Sequence, residues 1–413
     1  MRNVLIIDYP GMNVGGIENI LSLWMEYALR QGYRVVWITT SVQEQQSCFK
    51  ITSDDRIEVR YVTKTIFGPC YPRILVRSGE HATMVTCEPL QYVLSHSAVE
   101  CEKGSWLDHL LILPHDRGNM YYPEKFFKGN WFKAKVWNWC KEIAAVLSES
   151  DCVLGFNEKH FTAFCSNYEI NINSNKQKTL PAQTPVSCIK AEDFADRAKL
   201  RSDNFIVTTC ARFDFPHKGY LIGLVNNFAS LTEGCGKATL QIVGYGDGEA
   251  DLKSEIDKLP IEARASIRLL GKLSPDKLRE VYRRSHLAIG VAGAISLAAG
   301  QGTPSIIARE YTYNLEGYGY YCVGNTDTIR TVQGHDLKDE VRNAMRMTDD
   351  EYVELCIRTI DAAKSKGDVD QGFIFRQATH LRSLPFDFNT IAQCRLLYFL
   401  TYYKRRIRGV YGY

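Results

Sequence analysis

The feature that most constrains this chain is the order of patterns in its first forty residues. Val4-Leu5-Ile6-Ile7 is a short, unbroken apolar run, as expected of a parallel strand buried on both faces. A glycine-containing loop follows. Residues 17–31 then place Ile20, Leu21, Leu23, Trp24, Tyr27, Ala28 and Leu29 at the spacing of one helix face. Gly32 stands where a C-terminal capping glycine belongs. Arg34-Val35-Val36-Trp37-Ile38 is a second apolar run. Parallel neighbours need a long crossover, and here the crossover is a helix. The alternation predicts an α/β chain, an open parallel sheet with helices on both faces.

Further strands are expected at residues 57–62, 84–86, 109–113 and 152–155, with a last strand and loop at 180–187. Residues 167–178 are polar and rich in Asn. Residues 192–204 are charged and poor in large apolar side chains, which predicts a linker. A second series starts at Phe205-Ile206-Val207. It reads as loop 211–219, helix 220–231, strand 238–243, helix 249–259, strand 267–270, helix 275–284 and strand 286–290. The remainder reads as helical and aromatic. The chain of 413 residues is long enough for two or three domains. The expected division is 1–195, 203–385 and a final helix at 386–413.

Composition narrows the function classes. A net charge of +3 is too mild to argue for nucleic acid on global charge. The 13 cysteines are odd in number and contain no Cys-x-x-Cys pair, which argues against a zinc knuckle or redox pair and fits a reducing compartment. There is no basic n-region with a long apolar h-region at the start, and no run of 18 apolar residues. A cytoplasmic site of action is expected.

Three loops carry candidate chemistry. Gly15-Gly16-Ile17-Glu18 opens the first helix, where paired glycines let a phosphate or sugar approach the backbone N–H groups; a plain strand-to-helix turn needs the same residues. Arg212 and Lys218 bracket the second loop, six positions apart. A fork and a point charge folded onto one anion suit a diphosphate, although two solvated cations would have the same spacing. Gly293, Ala294, Ile295 and Ser296 start a helix after the strand ending at Gly290, and would serve either as a phosphate cradle or for close helix–sheet packing. Gly244-Tyr245-Gly246-Asp247-Gly248 lacks the third glycine of a dinucleotide fingerprint, and no acidic strand end follows at the required distance.

The order of these elements resembles the retaining family-4-type glycosyltransferases of GT-B fold. The sequence runs Gly-Gly-x-Glu, Arg…Lys-Gly, Leu-Gln-Ile-Val-Gly-x-Gly, Gly271-Lys272-Leu273, then Ala298-Ala299-Gly300-Gln301-Gly302-Thr303-Pro304. The match covers residues 1–40 and about 205–310. It implies two Rossmann-like domains facing each other across a cleft, with the C-terminal helix crossing back to domain one. It also implies sugar transfer from a nucleotide-diphosphate sugar to a glycan or lipid-linked glycan, as in cell-surface polysaccharide synthesis. Arg212 and Lys218 would neutralise the leaving diphosphate, whose charge grows in the transition state. Gly15, Gly16, Gly244, Gly293, Ala294, Ile295 and Ser296 would touch the donor, with no metal and no separate cofactor. The family carries two glutamates eight positions apart before its glycine-proline motif. Here those positions hold Ile289 and Leu297. Glu310 and Glu316 are the carboxylates that could take over a ribose contact, and the stereochemical outcome is open.

His115 follows an apolar strand in Leu113-Pro114-His115-Asp116-Arg117. It could hydrogen-bond the sugar or act as a base, or be a loop histidine capped by Asp116. Residues 121–147 interleave Tyr121, Tyr122, Phe126, Phe127, Trp131, Phe132, Trp137 and Trp139 with lysines. That pairing suits a membrane surface, here the inner face of the cell membrane, and less well single-stranded nucleic acid; an amphipathic core helix has the same pattern. Two rival classes remain: a non-catalytic sugar-nucleotide binder and an NAD-dependent oxidoreductase.

Overall fold

In the computed structural model the chain divides into two units, Met1–Pro181 with Asp370–Tyr413, and Ala182–Val369. The described residues are 2–378 and 396, less 10, 13–15, 41–49, 66–67, 88, 114–129, 150–152, 156–157, 171–179, 181–184, 235, 329–331 and 367–370.

The first unit holds strands β1 (Arg2–Asp8), β2 (Arg34–Thr39), β3 (Ile57–Tyr61), β4 (Thr63–Thr65), β5 (Gly68–Cys70), β6 (Ile74–Val76), β7 (Glu80–Thr86), β8 (Val99–Cys101), β9 (Trp106–Leu113) and β10 (Val153–Gly155). Six form a parallel sheet in the order β10-β9-β7-β1-β2-β3. The apolar run of β1 explains its central place. Leu5 and Ile7 enter one core with Trp24 and Leu111, while Val4 and Ile6 enter another with Val36 and Met84. The helix Gly16–Arg30 covers the first of these cores with Ile17, Ile20, Leu21, Trp24, Met25, Ala28 and Leu29. It ends as expected at Gly32, whose φ is +73°. The N–H of Tyr33 bonds the carbonyl of Ala28 and that of Gly32 bonds Leu29, the bonding of a Schellman cap. The small pairs β4–β5 and β6–β8 escaped the sequence reading.

Part of the aromatic–lysine segment is the helix Asn130–Glu149. Trp137 and Trp139 pack against the first core, Ile143, Ala144 and Leu147 are buried in it, and Lys141 lies over the Trp137 ring. Residues 121–129 of that segment lie outside the described residues. After the second unit the chain returns to the first through Phe373–Ala378. Ile374 is buried in the core, and the Phe375 ring meets Tyr27 and Tyr33 at 5.8 and 4.9 Å. The expected helix 386–413 lies outside the described residues apart from Leu396. No helix among the described residues is long and apolar enough to cross a membrane.

The second unit holds β11 (Phe205–Arg212), β12 (Ala238–Tyr245), β13 (Ile267–Gly271), β14 (Leu287–Gly290), β15 (Ser305–Ala308), β16 (Glu316–Tyr320) and β17 (His335–Asp336). The sheet order is β13-β12-β11-β14-β15-β16-β17. The first five strands are parallel, and β16 and β17 add antiparallel at the edge. Strands β15 to β17 occupy a region that reads as helical and aromatic in sequence.

Two further readings are corrected. Residues 185–190 carry no regular structure, so the strand expected at 180–187 does not form there. The expected linker 192–204 contains the helix Ala191–Leu200. Phe194 and Ala198 are buried against Tyr352, Cys356 and Ile360, and arginines add polar attachments. Arg197 Nη1 donates to the Gly302 carbonyl at 2.8 Å, and Arg201 Nη2 donates to the Met347 carbonyl and to Asp349, each at 2.8 Å. The Arg201 guanidinium lies 4.3 Å from the Tyr352 ring centroid. Gly302, at φ +62°, lets Phe194 of this helix approach, since a Cβ there would stand 2.5 Å from the Phe194 ring.

Beneath these arginines lies His286, buried at 2% exposure. Its Nδ1 accepts the Ile206 N–H at 2.9 Å, so the ring is held neutral. Burial, reinforced by Arg197 and Arg201, lowers its pKa to about 4. The unfolded chain therefore takes up a proton below pH 6.5 that the folded chain refuses until about pH 4, and stability falls across that window. The loss approaches about 3 kcal/mol. His286→Asn keeps an acceptor for Ile206 without titrating. Urea unfolding at pH 7 and pH 4.5 should show a stability loss about 2 kcal/mol smaller in this variant than in the wild type.

Candidate functional site

The second sheet reverses direction at β11, which has β12 on one side and β14 on the other. Ligands of open α/β sheets bind outside the carboxyl ends of the strands at such a switch point. Here those ends are Ala211–Arg212 of β11 and Gly290 of β14. The first leads into the loop to Lys218, the second into the helix Ala292–Gly300. Two of the expected loops are thus brought to one edge of one sheet.

The loop after β11 rests on the glycine turn after β12. The Phe213 N–H bonds the Tyr245 carbonyl at 2.8 Å, and the Gly248 N–H bonds the Phe213 carbonyl at 2.9 Å. A Cβ on Gly244 would stand 2.0 Å from the Ala211 carbonyl oxygen, one on Gly246 2.7 Å from that of Phe213, and one on Gly248 2.5 Å from the Phe215 ring. These glycines give the cationic loop its seat, so Gly244 has a packing role. Gly219 does the same on the far side, where a Cβ would meet the Thr312 carbonyl at 2.5 Å. Segment 310–314 is thereby pressed against the turn that carries Lys218.

That contact makes the site's main electrostatic feature. Lys218 Nζ is ion-paired to Glu310 Oε1, with the two side chains only 13% and 17% exposed. His217 Nε2 lies 3.0 Å from the same carboxylate oxygen and 3.2 Å from the ammonium. One ring nitrogen serves one of them at a time, donating to Glu310 or accepting from Lys218. Burial pulls the Lys218 pKa down against the opposing pull of Glu310. For Glu310 burial works the other way and is outweighed by His217 and Lys218, which bring its pKa down to about 2. Glu310 is therefore a carboxylate near neutrality.

Arg212 ends β11 and is exposed. Beside it, the helix Ala292–Gly300 starts without a side-chain cap on Val291, with Ala292 at φ +51° and Gly293 facing open space. The first-turn N–H groups of Gly293, Ala294 and Ile295 have no capping side chain, and an uncapped start suits an anion. Ile295 buries its side chain in the core, and Ser296 Oγ reaches the Ala292 carbonyl at 3.5 Å.

Glu316 is placed apart from Lys218. It is paired to Arg309 at 2.9 Å, accepts from Asn314 at 3.0 Å, and lines a shallow pocket with Asn227, Asp336 and Lys338. Gly16 begins the first helix of the other unit and is exposed. His115 and Gly15 lie outside the described residues. Ile289 is buried within β14, and Leu297 packs partly buried against the core. Only Val291 separates β14 from the following helix, and neither element carries an Asp or Glu.

Sequence reasoning missed two residues, His217 and Tyr311. Tyr311 has φ +59°, unusual for a residue with a Cβ and costing about 1–3 kcal/mol. Its N–H bonds the His217 carbonyl at 3.0 Å, and its ring stacks on the His217 ring at 4.7 Å. Their one available signal was adjacency to Lys218 and Glu310.

The sequence matches no protein-family model and no curated protein. Solved structures do match in fold. Anabaena HepE in complex with UDP and glucose superposes with a TM-score of 0.58 at 16% identity, covering 91% of this chain and 99% of that one. WaaG, a glycosyltransferase involved in lipopolysaccharide biosynthesis, gives 0.56 at 13% identity over 92% and 100% of the two chains. A G117R mutant of S. aureus TarM, bound to Fondaparinux, α-GlcNAc-glycerol and UDP, gives 0.54 at 8% identity over 91% and 99%. The fold is that of the GT-B glycosyltransferases.

A double-mutant cycle tests the ion pair. Lys218→Met and Glu310→Met together should destabilise by about 1–3 kcal/mol less than the sum of the single changes. With Glu310 titrating at about 2, the coupling should persist undiminished from pH 7 to pH 5. Urea midpoints of the four proteins at both pH values measure it.

Proposed function

We propose that this chain is a glycosyltransferase that moves a sugar from a nucleoside-diphosphate sugar to a glycan or lipid-linked glycan. The observation that carries this reading is the half-buried Lys218, held by Glu310 in the loop that leaves β11 at the switch point. In transfer, negative charge grows on the departing diphosphate. Arg212 and Lys218 stabilise that charge, aided by the N–H groups of Gly293, Ala294 and Ile295, because their positions are fixed before the reaction begins. Glu310 replaces the carboxylate that Ile289 and Leu297 do not supply. Gly15 and Gly16 are proposed as further donor contacts, and His115 is proposed to bond the sugar or take the acceptor's proton. Retention at the anomeric carbon is the outcome implied by the resemblance to family-4-type enzymes. The UDP in the HepE and TarM structures makes a uridine donor the first to test. Residues 121–147 are proposed to meet the lipid-linked acceptor at a membrane surface through their lysines, since Trp137, Trp139, Ile143, Ala144 and Leu147 pack in the core.

The positive charge of Arg212 and Lys218 fills the role that a divalent cation fills elsewhere. Transfer should therefore continue at full rate in excess EDTA, and a requirement for added Mg²⁺ or Mn²⁺ would contradict this account.

A second reading, a sugar-nucleotide binder without turnover, is favoured by the apolar Ile289 and Leu297. Thermal unfolding with UDP, GDP, ADP, CMP and NAD tests the donor site. A ligand specific to the folded state at 100 times its Kd stabilises by about 2.7 kcal/mol. One nucleoside diphosphate should raise the Tm of the wild type but not of Arg212→Ala/Lys218→Ala. A shift with NAD alone would move an oxidoreductase ahead.

A further inference from the structure

The histidine beside the Lys218–Glu310 pair faces two opposite hydrogen-bonding groups with one atom. His217 Nε2 lies 3.0 Å from Glu310 Oε1, an acceptor, and 3.2 Å from Lys218 Nζ, a donor. An imidazole nitrogen either donates or accepts, so the position of one proton selects the partner. The ring itself is clamped. It stacks on the Tyr311 ring at 4.7 Å and 24° between planes, and the His217 carbonyl accepts the Tyr311 N–H at 3.0 Å. The other ring nitrogen, Nδ1, faces Asp214 Oδ2 at 3.7 Å. Among the described residues, the titratable groups that meet the imidazole thus come from two places. Glu310 and Tyr311 belong to the segment after β15, and Asp214 and Lys218 to the histidine's own loop. Solvent reaches them unequally. The His217 side chain is 34% exposed, against 17% for Glu310 and 13% for Lys218. Of these three, the imidazole is the best placed to trade a proton with water.

We propose that His217 is a positioning residue that couples proton uptake to donor binding: with Nε2 unprotonated it holds Lys218 beside Glu310, and with Nε2 protonated it takes over Glu310 Oε1 and releases Lys218 to the diphosphate. This rests on the diphosphate reading of Lys218. Without a donor, Lys218 Nζ gives N–H groups to both Glu310 and His217. A diphosphate in the site draws Lys218 Nζ toward its own oxygens. Glu310 Oε1 then loses a donor in a place where an unpaired carboxylate oxygen is costly. A protonated Nε2 replaces that donor without movement of the ring, since 3.0 Å is already hydrogen-bond distance. The incoming negative charge favours the same proton, and Asp214 favours it from the other side of the ring. Only an N–H bond is made; the proton comes from solvent and returns to it when the diphosphate leaves. Glu310 does not compete for it, because its own pKa is brought down to about 2. Imidazoles ordinarily titrate between about pH 5 and 8. Donor binding strengthens the histidine's hold on the proton, so donor affinity rises as pH falls through that range.

The test is isothermal titration of UDP-, GDP- and ADP-glucose at pH 6, 7 and 8 into the wild type, His217→Gln and His217→Phe. These donors hold a constant charge over that range. At pH 7 each titration is run in PIPES and in imidazole buffer, whose different ionisation heats report the protons taken up. The wild type should take up about half a proton on binding its donor at pH 7, and should bind it about three- to tenfold more tightly at pH 6 than at pH 8. His217→Gln keeps a side-chain donor and acceptor but exchanges no proton. It should show no uptake, and its affinity should vary by less than about twofold across the range. His217→Phe keeps a ring against Tyr311 and should behave in the same way, so a folding fault in one variant leaves the other to decide. Binding by the wild type without proton uptake overturns the proposal. Equal uptake by the wild type and the variants also overturns it, because the proton would then be held by Lys218 or another group. Failure of all three donors to bind the wild type at any pH is a different result: the donor reading itself falls, and this inference falls with it.

Discussion

Everything else in the second unit depends on the burial of its central strands on both faces. Leu240 and Ile242 of β12 point into one core and Val243 into another, and Ile289 and Ala288 of β14 divide in the same way. Such strands have no room for a charged side chain along their length. Polar chemistry is therefore displaced to their ends, and parallel pairing collects the carboxyl ends along one edge. The reversal of order at β11 separates two loops at that edge. Lys218 lies in one of them, and β14 directs an uncapped helix start toward the same edge.

The loops hold their shape through close approaches that only glycine permits. Gly244, Gly246 and Gly248 lie under Phe213 and Phe215, and Gly219 lies under Thr312. In sequence the glycine turn resembles a damaged nucleotide fingerprint. In the structure it supports the neighbouring loop. Its spacing follows the backbone of residues 211–215 rather than a pyrophosphate, which is why it fails the fingerprint while remaining glycine-rich.

What could be read from sequence follows the same physics. Apolar runs and 3.6-residue periodicity exposed the parallel strands and the helices covering them, because both are signals of one-dimensional pattern. The helix Ala191–Leu200 reads as a linker because it buries only Phe194 and Ala198 as apolar anchors, while its other fastenings, Arg197 and Arg201, mark a surface when judged by composition. Strand β16 was missed because Glu-Gly-Tyr-Gly-Tyr has the look of a turn; Gly317 is there because a Cβ would stand 2.1 Å from the Ile307 carbonyl. At the site, the two cations were legible as charges at a strand end. The partnership of Lys218 with Glu310 spans 92 positions and leaves no local spacing to read. The absence of glutamate at 289 and 297 is legible directly from the residue types, Ile289 and Leu297.

The central claim is that Lys218 stabilises a departing diphosphate. The most direct measurement is the release of free nucleoside diphosphate from UDP-, GDP- and ADP-hexoses, with and without glycan acceptors, by the wild type and Lys218→Met. The account predicts release from one donor class by the wild type and a rate at least about 100-fold lower in the variant. Equal rates in the two proteins, or binding of a donor with no release under any condition, would contradict it.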